Sequence, residues 1–286
     1  MTLFQIFIGL LILFAMVLRP FVYKPAARYF PAEMSSAFTS VWLMVGLALS
    51  FPFFGHLITD NAKEIFYSPY WLLSALKGIL LWWMINLQQV VNKESTSSSV
   101  FFGFIALALG SLANNLFFHE GLKLFQLVCI CGFGVLGGAF MFRGDARRLS
   151  IKGVIAFWAI VLCGAVFMVT DHLAIPSVGW YTHLLVSSAA WFFVSWAHGI
   201  SRADFRKIFS LPSLYVAGIC YVITEFLVIY SSTNLLPVSF VGIFMRLAAP
   251  VVMVISALRY KEQSWQNQLL FGLVALALAL PLILFK

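Results

Sequence analysis

Residues 224–246 read TEFLVIYSSTNLLPVSFVGIFMR. The stretch lies in a long apolar region, yet Glu225 stands near one end and Arg246 at the other. A charged side chain at mid-bilayer costs roughly 2.5–3.5 kcal/mol on insertion scales, against a gain of about 0.3–0.6 kcal/mol for a Leu. A chain keeps such groups in lipid only where they face a protein interior, a partner or a wet cavity. Two readings follow: a pathway for a polar solute, or a structural ion pair that holds two helices together. A third charge, Lys77, in another apolar segment favours the pathway.

The rest of the chain has the same character. Of 286 residues, 62% are hydrophobic and 10% charged, whereas a soluble domain carries about 25% charged residues. Such a composition needs lipid as solvent, and no segment is polar enough for a separate soluble domain. The 30 Phe and 9 Trp suit lipid-facing helices and interfacial belts. The formal net charge of +8 reads as the cytoplasmic Lys and Arg excess of a membrane protein rather than as a nucleic-acid surface. Cys129, Cys131, Cys163 and Cys220 fall inside apolar runs, and no His joins them at ligand spacing. Neither a disulfide framework nor a metal site is expected. The first apolar run lacks a basic n-region and a small-residue cleavage site, so it reads as a helix that stays.

A bilayer needs about 20 apolar residues per helix. Ten candidates follow in order: about Leu3–Tyr23, Ser35–Phe54, Tyr70–Val91, Ser97–Phe118, Leu122–Phe142, Val154–Thr170, Trp180–Ala197, Leu214–Ser231, Val238–Leu258 and Leu269–Phe285. The basic linker RGDARRLSIKG, residues 143–153, divides the chain near its midpoint. The expected organisation is therefore 1–142, linker 143–153, and 154–286. The short turns force neighbouring helices to run antiparallel.

The halves look like a repeat. Glu120 is followed six residues on by Gln126, and Glu262 six residues on by Gln268, the pairs being offset by 142 positions. Each pair follows a small-residue helix and precedes one rich in Gly, Ala and Leu. With five helices per half, the second half inserts upside down relative to the first. Inverted repeats are a transporter architecture, with the site near the midplane where the repeats meet. The expected fold is all-α and integral to the membrane: ten transmembrane helices as two inverted five-helix repeats.

Two passages, Ser97–Phe142 and Leu236–Leu284, carry a resemblance to the drug/metabolite transporter superfamily and, within it, to the EamA-like ten-helix proteins. Members show a small-residue helix, often with a central Pro, then a turn containing Glu, a Gln a few residues later and a Gly-rich closing helix. Pro250, Glu262, Gln268 and Gly272 fit that pattern, whereas Ala108 stands near where the first half would carry its Pro. The resemblance implies a basket of helices around a central cavity and secondary, non-ATP transport. No Walker-type phosphate loop appears, in agreement with that.

Helical spacing then selects candidate solute contacts. Trp82, Asn86 and Gln89 share a stripe on the third helix, which also carries Lys77. Tyr221, Glu225 and Ser232 share a face of the eighth with Gly218; Ser239, Gly242, Arg246 and Pro250 share a face of the ninth. Arg246 suits a carboxylate or phosphate, which its guanidinium grips as a fork. Lys77 acts similarly as a point charge, or snorkels to the interface. Glu225 is able to neutralise Arg246, bind an ammonium, or carry a coupling proton. Trp82 and Tyr221 offer faces to a ring or a cation, with lipid-facing packing as the plainer role. Arg19, beside Pro20 at a helix end, reads as a snorkelling residue, and Asp171–His172 as an interfacial cap. Glu120 and Glu262 read as turn residues, and Gly132, Gly134, Gly137 and Gly138 as close-packing positions. No Ser–His–Asp order or HExxH string stands out, and no catalytic residue or cofactor is assigned.

Linkers after the odd-numbered helices hold 12 Lys and Arg, and the other side holds 3. The positive-inside rule then places both termini outside the cytoplasm, whereas family members are commonly described with both termini inside. The expectation is a multi-pass protein of the cell membrane, taken as a bacterial inner membrane, that moves a small anionic or zwitterionic metabolite by alternating access. Coupling to a proton or counter-solute is compatible with it. The competing classes are an integral-membrane enzyme acting on lipid and a non-transporting membrane scaffold.

Overall fold

A computed structural model describes residues 3–59, 67–96, 98–119, 123–143, 149–198, 206, 212–235, 238–260 and 265–284. These residues are helical almost throughout, with no strand among them. The long helices are α1 (Leu3–Tyr29), α2 (Ala32–Phe54), α3 (Trp71–Glu94), α4 (Ser98–Phe118), α5 (Leu124–Arg143), α6 (Ile151–Val178), α7 (Trp180–Ala197), α8 (Pro212–Asn234), α9 (Val238–Tyr260) and α10 (Trp265–Leu284), with one further turn at His56–Thr59. Among the described residues, six stretches are long and apolar enough to cross a membrane by length and composition: Leu3–Pro25, Ala32–Phe54, Phe101–Phe118, Leu124–Met141, Ile151–Val178 and Pro212–Asn234.

The outer surface agrees with that. On α6 the exposed side chains Ile151, Ile155, Trp158, Leu162 and Val166 form one stripe at helical spacing. In water such a stripe faces the core; here it faces out. Polar groups such as Thr170 and Asp171 sit further along the same helix, turned toward its neighbours.

Two helices are longer than the hydropathy pattern predicts. Helix α1 continues past Tyr23 to Tyr29 through Pro20 and Pro25. A proline removes one helical donor and with it the bond to the carbonyl four residues before it, that of Met16 for Pro20 and of Phe21 for Pro25, a loss that membrane helices tolerate; beside Pro20, Asn92 of α3 donates to the Pro20 carbonyl at 3.4 Å and ties α3 to α1. Helix α6 does not stop at Thr170 but runs through Asp171, His172 and Pro176 to Val178. It ends at Gly179, whose φ of +78° is open to glycine and strained for other residues. The Gly179 N–H closes onto the Ile175 carbonyl at 3.0 Å. Helix α7 begins at the next residue, so the chain turns from α6 into α7 at this joint. The start of α6 is fixed as firmly. Ser150 accepts from the Gly153 N–H at 3.1 Å, as an N-cap should. Its own N–H and hydroxyl donate to the Glu94 carboxylate at 2.8 and 2.6 Å. The linker expected over 143–153 therefore shortens, since α6 begins inside it; residues 144–148 lie outside the described set.

Helix packing follows a pattern. Helix α1 packs on α8 and α9, and α6 packs on α3 and α4; α2 meets α7 and α8, and α7 meets α2 and α3; α4 pairs with α5, α9 with α10, and α5 with α10. Small residues permit the close approaches. Gly137 faces Ile105, Gly134 faces Ala108, and Gly132 faces Leu278, while nothing crowds Gly138. An aromatic cluster of Phe101, Phe104, Phe133, Phe140 and Phe271 fills the space between α4, α5 and α10, with Phe101 and Phe140 stacked at 4.0 Å between centroids.

Candidate functional site

Helix α3 packs on α1, α2, α4, α6 and α7, and leaves one stripe, Leu72, Leu76, Ile79 and Trp83, exposed. Its contact with α7 is the closest feature at this level: a Cβ at Gly78 would run into the Ser187 carbonyl oxygen and the Ala190 methyl group. That approach brings the residue before it, Lys77, to the inner face of α7. The Lys77 Nζ lies 2.7 Å from Asp171 Oδ1 of α6, with the lysine side chain 4% and the aspartate 20% exposed. Lys77 therefore does not snorkel, and Asp171 is not an interfacial cap. The α6 backbone carries Asp171 past the end the sequence predicts for that helix and into the interior.

The same carboxylate oxygen accepts from His183 Nε2 of α7 at 2.9 Å. A carboxylate only accepts, so Nε2 carries the imidazole proton and Nδ1 is left as acceptor. Ser74 fills that role, its hydroxyl donating to Nδ1 at 2.8 Å. Ser74, Lys77, Asp171 and His183 thus tie three helices together. The Ser–His–Asp order has the look of a nucleophilic triad, yet Ser74 and His183 are fully buried. A nucleophile must reach a substrate. Asp171, with its residual exposure, and Lys77 are the members that line a cavity.

That cavity, about 110 Å³, lies between helices of both halves of the chain. Its charged wall consists of Arg19 from α1, Lys77 from α3, Asp171 from α6 and Glu225 from α8. Tyr221 and Ser232 of α8 join them, and the remainder is methionine, phenylalanine and aliphatic surface. A second cavity, about 40 Å³, carries Gln88, Gln89 and Asn92 of α3 and Tyr23 of α1. The two share Met16, Arg19, Phe102 and Met245 in their walls. Arg19 stands at that shared boundary, its guanidinium carbon 4.6 Å from the centre of the Tyr221 ring and Nη1 3.7 Å from the Met16 sulfur. It is buried, not snorkelled to an interface, because α1 continues ten residues beyond it.

Of the residues singled out by sequence, Lys77, Tyr221 and Glu225 meet in the larger cavity and Gln89 lines the smaller. Ser232 joins the first group, while Gly218 turns to Trp42 of α2. Asn86 is buried, its Oδ1 without a hydrogen-bond partner, and lines neither cavity. Trp82 stacks on His198 at 4.3 Å between centroids, away from both. Arg246 belongs to α9 by its backbone, but its side chain lies outside the described residues, as do Glu120 and Glu262. Arg19, Asp171 and His183 are the residues that sequence reasoning passed over.

The architecture is that of a multi-pass α-helical membrane protein with a charged interior cavity. In comparisons with known proteins, no family model matches the chain and no curated protein matches it.

Proposed function

We propose that the chain is a secondary transporter of a small anionic or zwitterionic solute, working by alternating access across a bacterial inner membrane. The observation that carries this reading is the cavity walled by Arg19, Lys77, Asp171 and Glu225 inside an otherwise apolar helical body. Charges are kept in such a place where they serve a polar pathway. The second cavity, joined to the first at Arg19, extends the polar space along the interior.

The helix packing supports two inverted five-helix repeats. Moving each helix five places along the chain turns α1–α8 into α6–α3, α1–α9 into α6–α4, α2–α8 into α7–α3 and α4–α5 into α9–α10, while α2–α7 and α5–α10 map onto themselves. A two-fold relation of that kind suits a site where the repeats meet, and the charged wall draws on both halves. The resemblance to EamA-like drug/metabolite transporters points the same way. On this reading the four long helices beyond the six stretches named above also cross the bilayer.

The test pairs binding with flux. Detergent-purified protein is melted against amino acids, organic acids, phosphates, nucleotides and amines; compounds that bind the folded state raise its melting temperature. Those that do are then followed into proteoliposomes. Saturable uptake of a stabilising solute is the expected result. Stabilisation by no compound, with no protein-dependent flux of any, overturns the reading and leaves the charge network as a structural device.

A further inference from the structure

The packing that relates the two halves has one exception. Helix α1 packs on α3, and moving both five places along the chain gives α6 on α8. Among the described residues, α6 makes no comparable contact with α8. Every other packing between the long helices has its counterpart or maps onto itself.

The cavities show the same asymmetry. The α1 residues of the smaller one, Met16, Arg19, Pro20 and Tyr23, have the spacing of the α6 residues of the larger one, which run from Gly164 to Asp171. The offset is 148 positions, the same as that between the first residues of the two helices, Leu3 and Ile151. On α3, Ile85, Gln88 and Asn92 of the smaller cavity answer to Glu225, Val228 and Ser232 of α8 in the larger, at an offset of 140. Phe102 of α4 and Met245 of α9 correspond at an offset of 143, and both residues line both cavities. The two cavities are therefore repeat-related forms of one space. It is contracted to about 40 Å³ where α1 meets α3 and widened to about 110 Å³ where α6 and α8 stand apart.

Side chains close the contracted form. Asn92 donates to the Pro20 carbonyl at 3.4 Å, and Lys24 of α1 donates to the hydroxyl of Thr96, just past the end of α3. At the same offsets, Pro20 and Asn92 correspond to Met168 and Ser232 of the wide form. There the Ser232 hydroxyl donates to the Ile229 carbonyl of its own helix at 2.9 Å and ties nothing to α6.

We propose that the structure is one of two end states, closed where α1 meets α3 and open where α6 faces α8, and that the Asn92–Pro20 and Lys24–Thr96 contacts are the gate that holds it closed. The other state exchanges the conformations of the repeats: α1 leaves α3, and α6 closes on α8. This rests on the transport reading above and assigns its gate. With ten crossings, the gate lies at the face that carries most of the Lys and Arg, which the positive-inside rule makes cytoplasmic.

The experiment reads both ends of the interior. Gln89→Cys in the smaller cavity and Ser232→Cys in the larger are made singly in the full chain with Cys129, Cys131, Cys163 and Cys220 replaced. The detergent-purified proteins are treated with a small charged methanethiosulfonate. Ser232→Cys is expected to react faster than Gln89→Cys. Asn92→Leu with Thr96→Val removes both gate contacts. It is expected to raise the Gln89→Cys rate and lower the Ser232→Cys rate, moving their ratio roughly 10-fold, as loss of two hydrogen bonds does. Unfolding raises both rates, so opposite movement is the signature of a gate. Faster reaction of Gln89→Cys with the gate intact, or rates that stay put or rise together without it, overturns the proposal. A converse arm needs no weakened variant. A short bis-methanethiosulfonate joining Lys24→Cys to Thr96→Cys is expected to stop solute flux in proteoliposomes until a reductant frees the pair. Flux that persists through the bridge overturns the gate and leaves transport standing. Flux of no solute before bridging removes the transport reading, while the two labelling rates still decide whether the interior changes sides.

Discussion

Removing one member of the Lys77–Asp171 pair strands the other in a low-dielectric interior. A fully buried pair broken this way costs roughly 3–5 kcal/mol, and the partial exposure of Asp171 at 20% brings the expectation to about 2–3 kcal/mol. Asp171→Asn should therefore lower stability by that amount in SDS titrations of detergent micelles. Combining Asp171→Asn with Lys77→Met should recover most of it, because neither charge of the pair remains and the asparagine amide oxygen still accepts from His183 Nε2, while solute flux stays lost. Failure of the double variant to recover would mean that the pair contributes packing rather than charge compensation. Lys77, Tyr221 and Glu225 were legible in the sequence because a charge or a polar ring in an apolar run announces itself. Arg19 and Asp171 were not, since each stands where hydropathy places a helix end. Hydropathy ends the two helices at Tyr23 and Thr170, yet they run on through Pro25 and Pro176. His183 gave no local signal: its partners Ser74 and Asp171 come from other helices.

At the scale of elements, the α3–α7 approach is what aligns the network, and Gly78 is what allows it. Gly78→Ala puts a methyl group into the Ser187 carbonyl oxygen, a backbone atom that cannot rotate away. Overpacking of this kind costs about 1–3 kcal/mol, and the displaced α7 should also take His183 from Asp171. Gly138→Ala meets nothing within 4 Å and should be neutral or gain up to about 1 kcal/mol from helix propensity. Comparing the two melting temperatures in one detergent separates packing from propensity; equal effects would refute the close-approach account. The polar stripe expected on α3 was half legible. Trp82, Asn86 and Gln89 do share a helical face, but that face runs past several of the five helices packed on α3. The stripe therefore meets His198, a buried interior and the smaller cavity in turn. Periodicity says which residues share a face and not what lies opposite along its length.

Across the whole molecule, the alternation of helices predicts the sidedness of their ends. With native cysteines replaced, a single cysteine at Lys152 or Glu94 should react with a membrane-impermeant thiol reagent from one side, and one at Lys123 from the other. Labelling of both from the same side would show that α4 does not cross. The helix count and basic linkers carried this much in the sequence, whereas the two-cavity interior depends on which helices pack together and on contacts far apart in the chain. A contact between the ends of α3 and α6 bears on how such an interior would open. The Glu94 carboxylate takes two hydrogen bonds from Ser150, pinning the last residue of α3 to the first turn of α6. From that pin to Lys77 is 17 residues of helix, about 25 Å. The two helices are then arms hinged at one end and latched, by Lys77 and Asp171, near the other. Releasing the latch lets the arms part only at the far end, and a swing of roughly 10° over about 25 Å of helix separates them there by roughly 4 Å, while the hinge itself hardly moves.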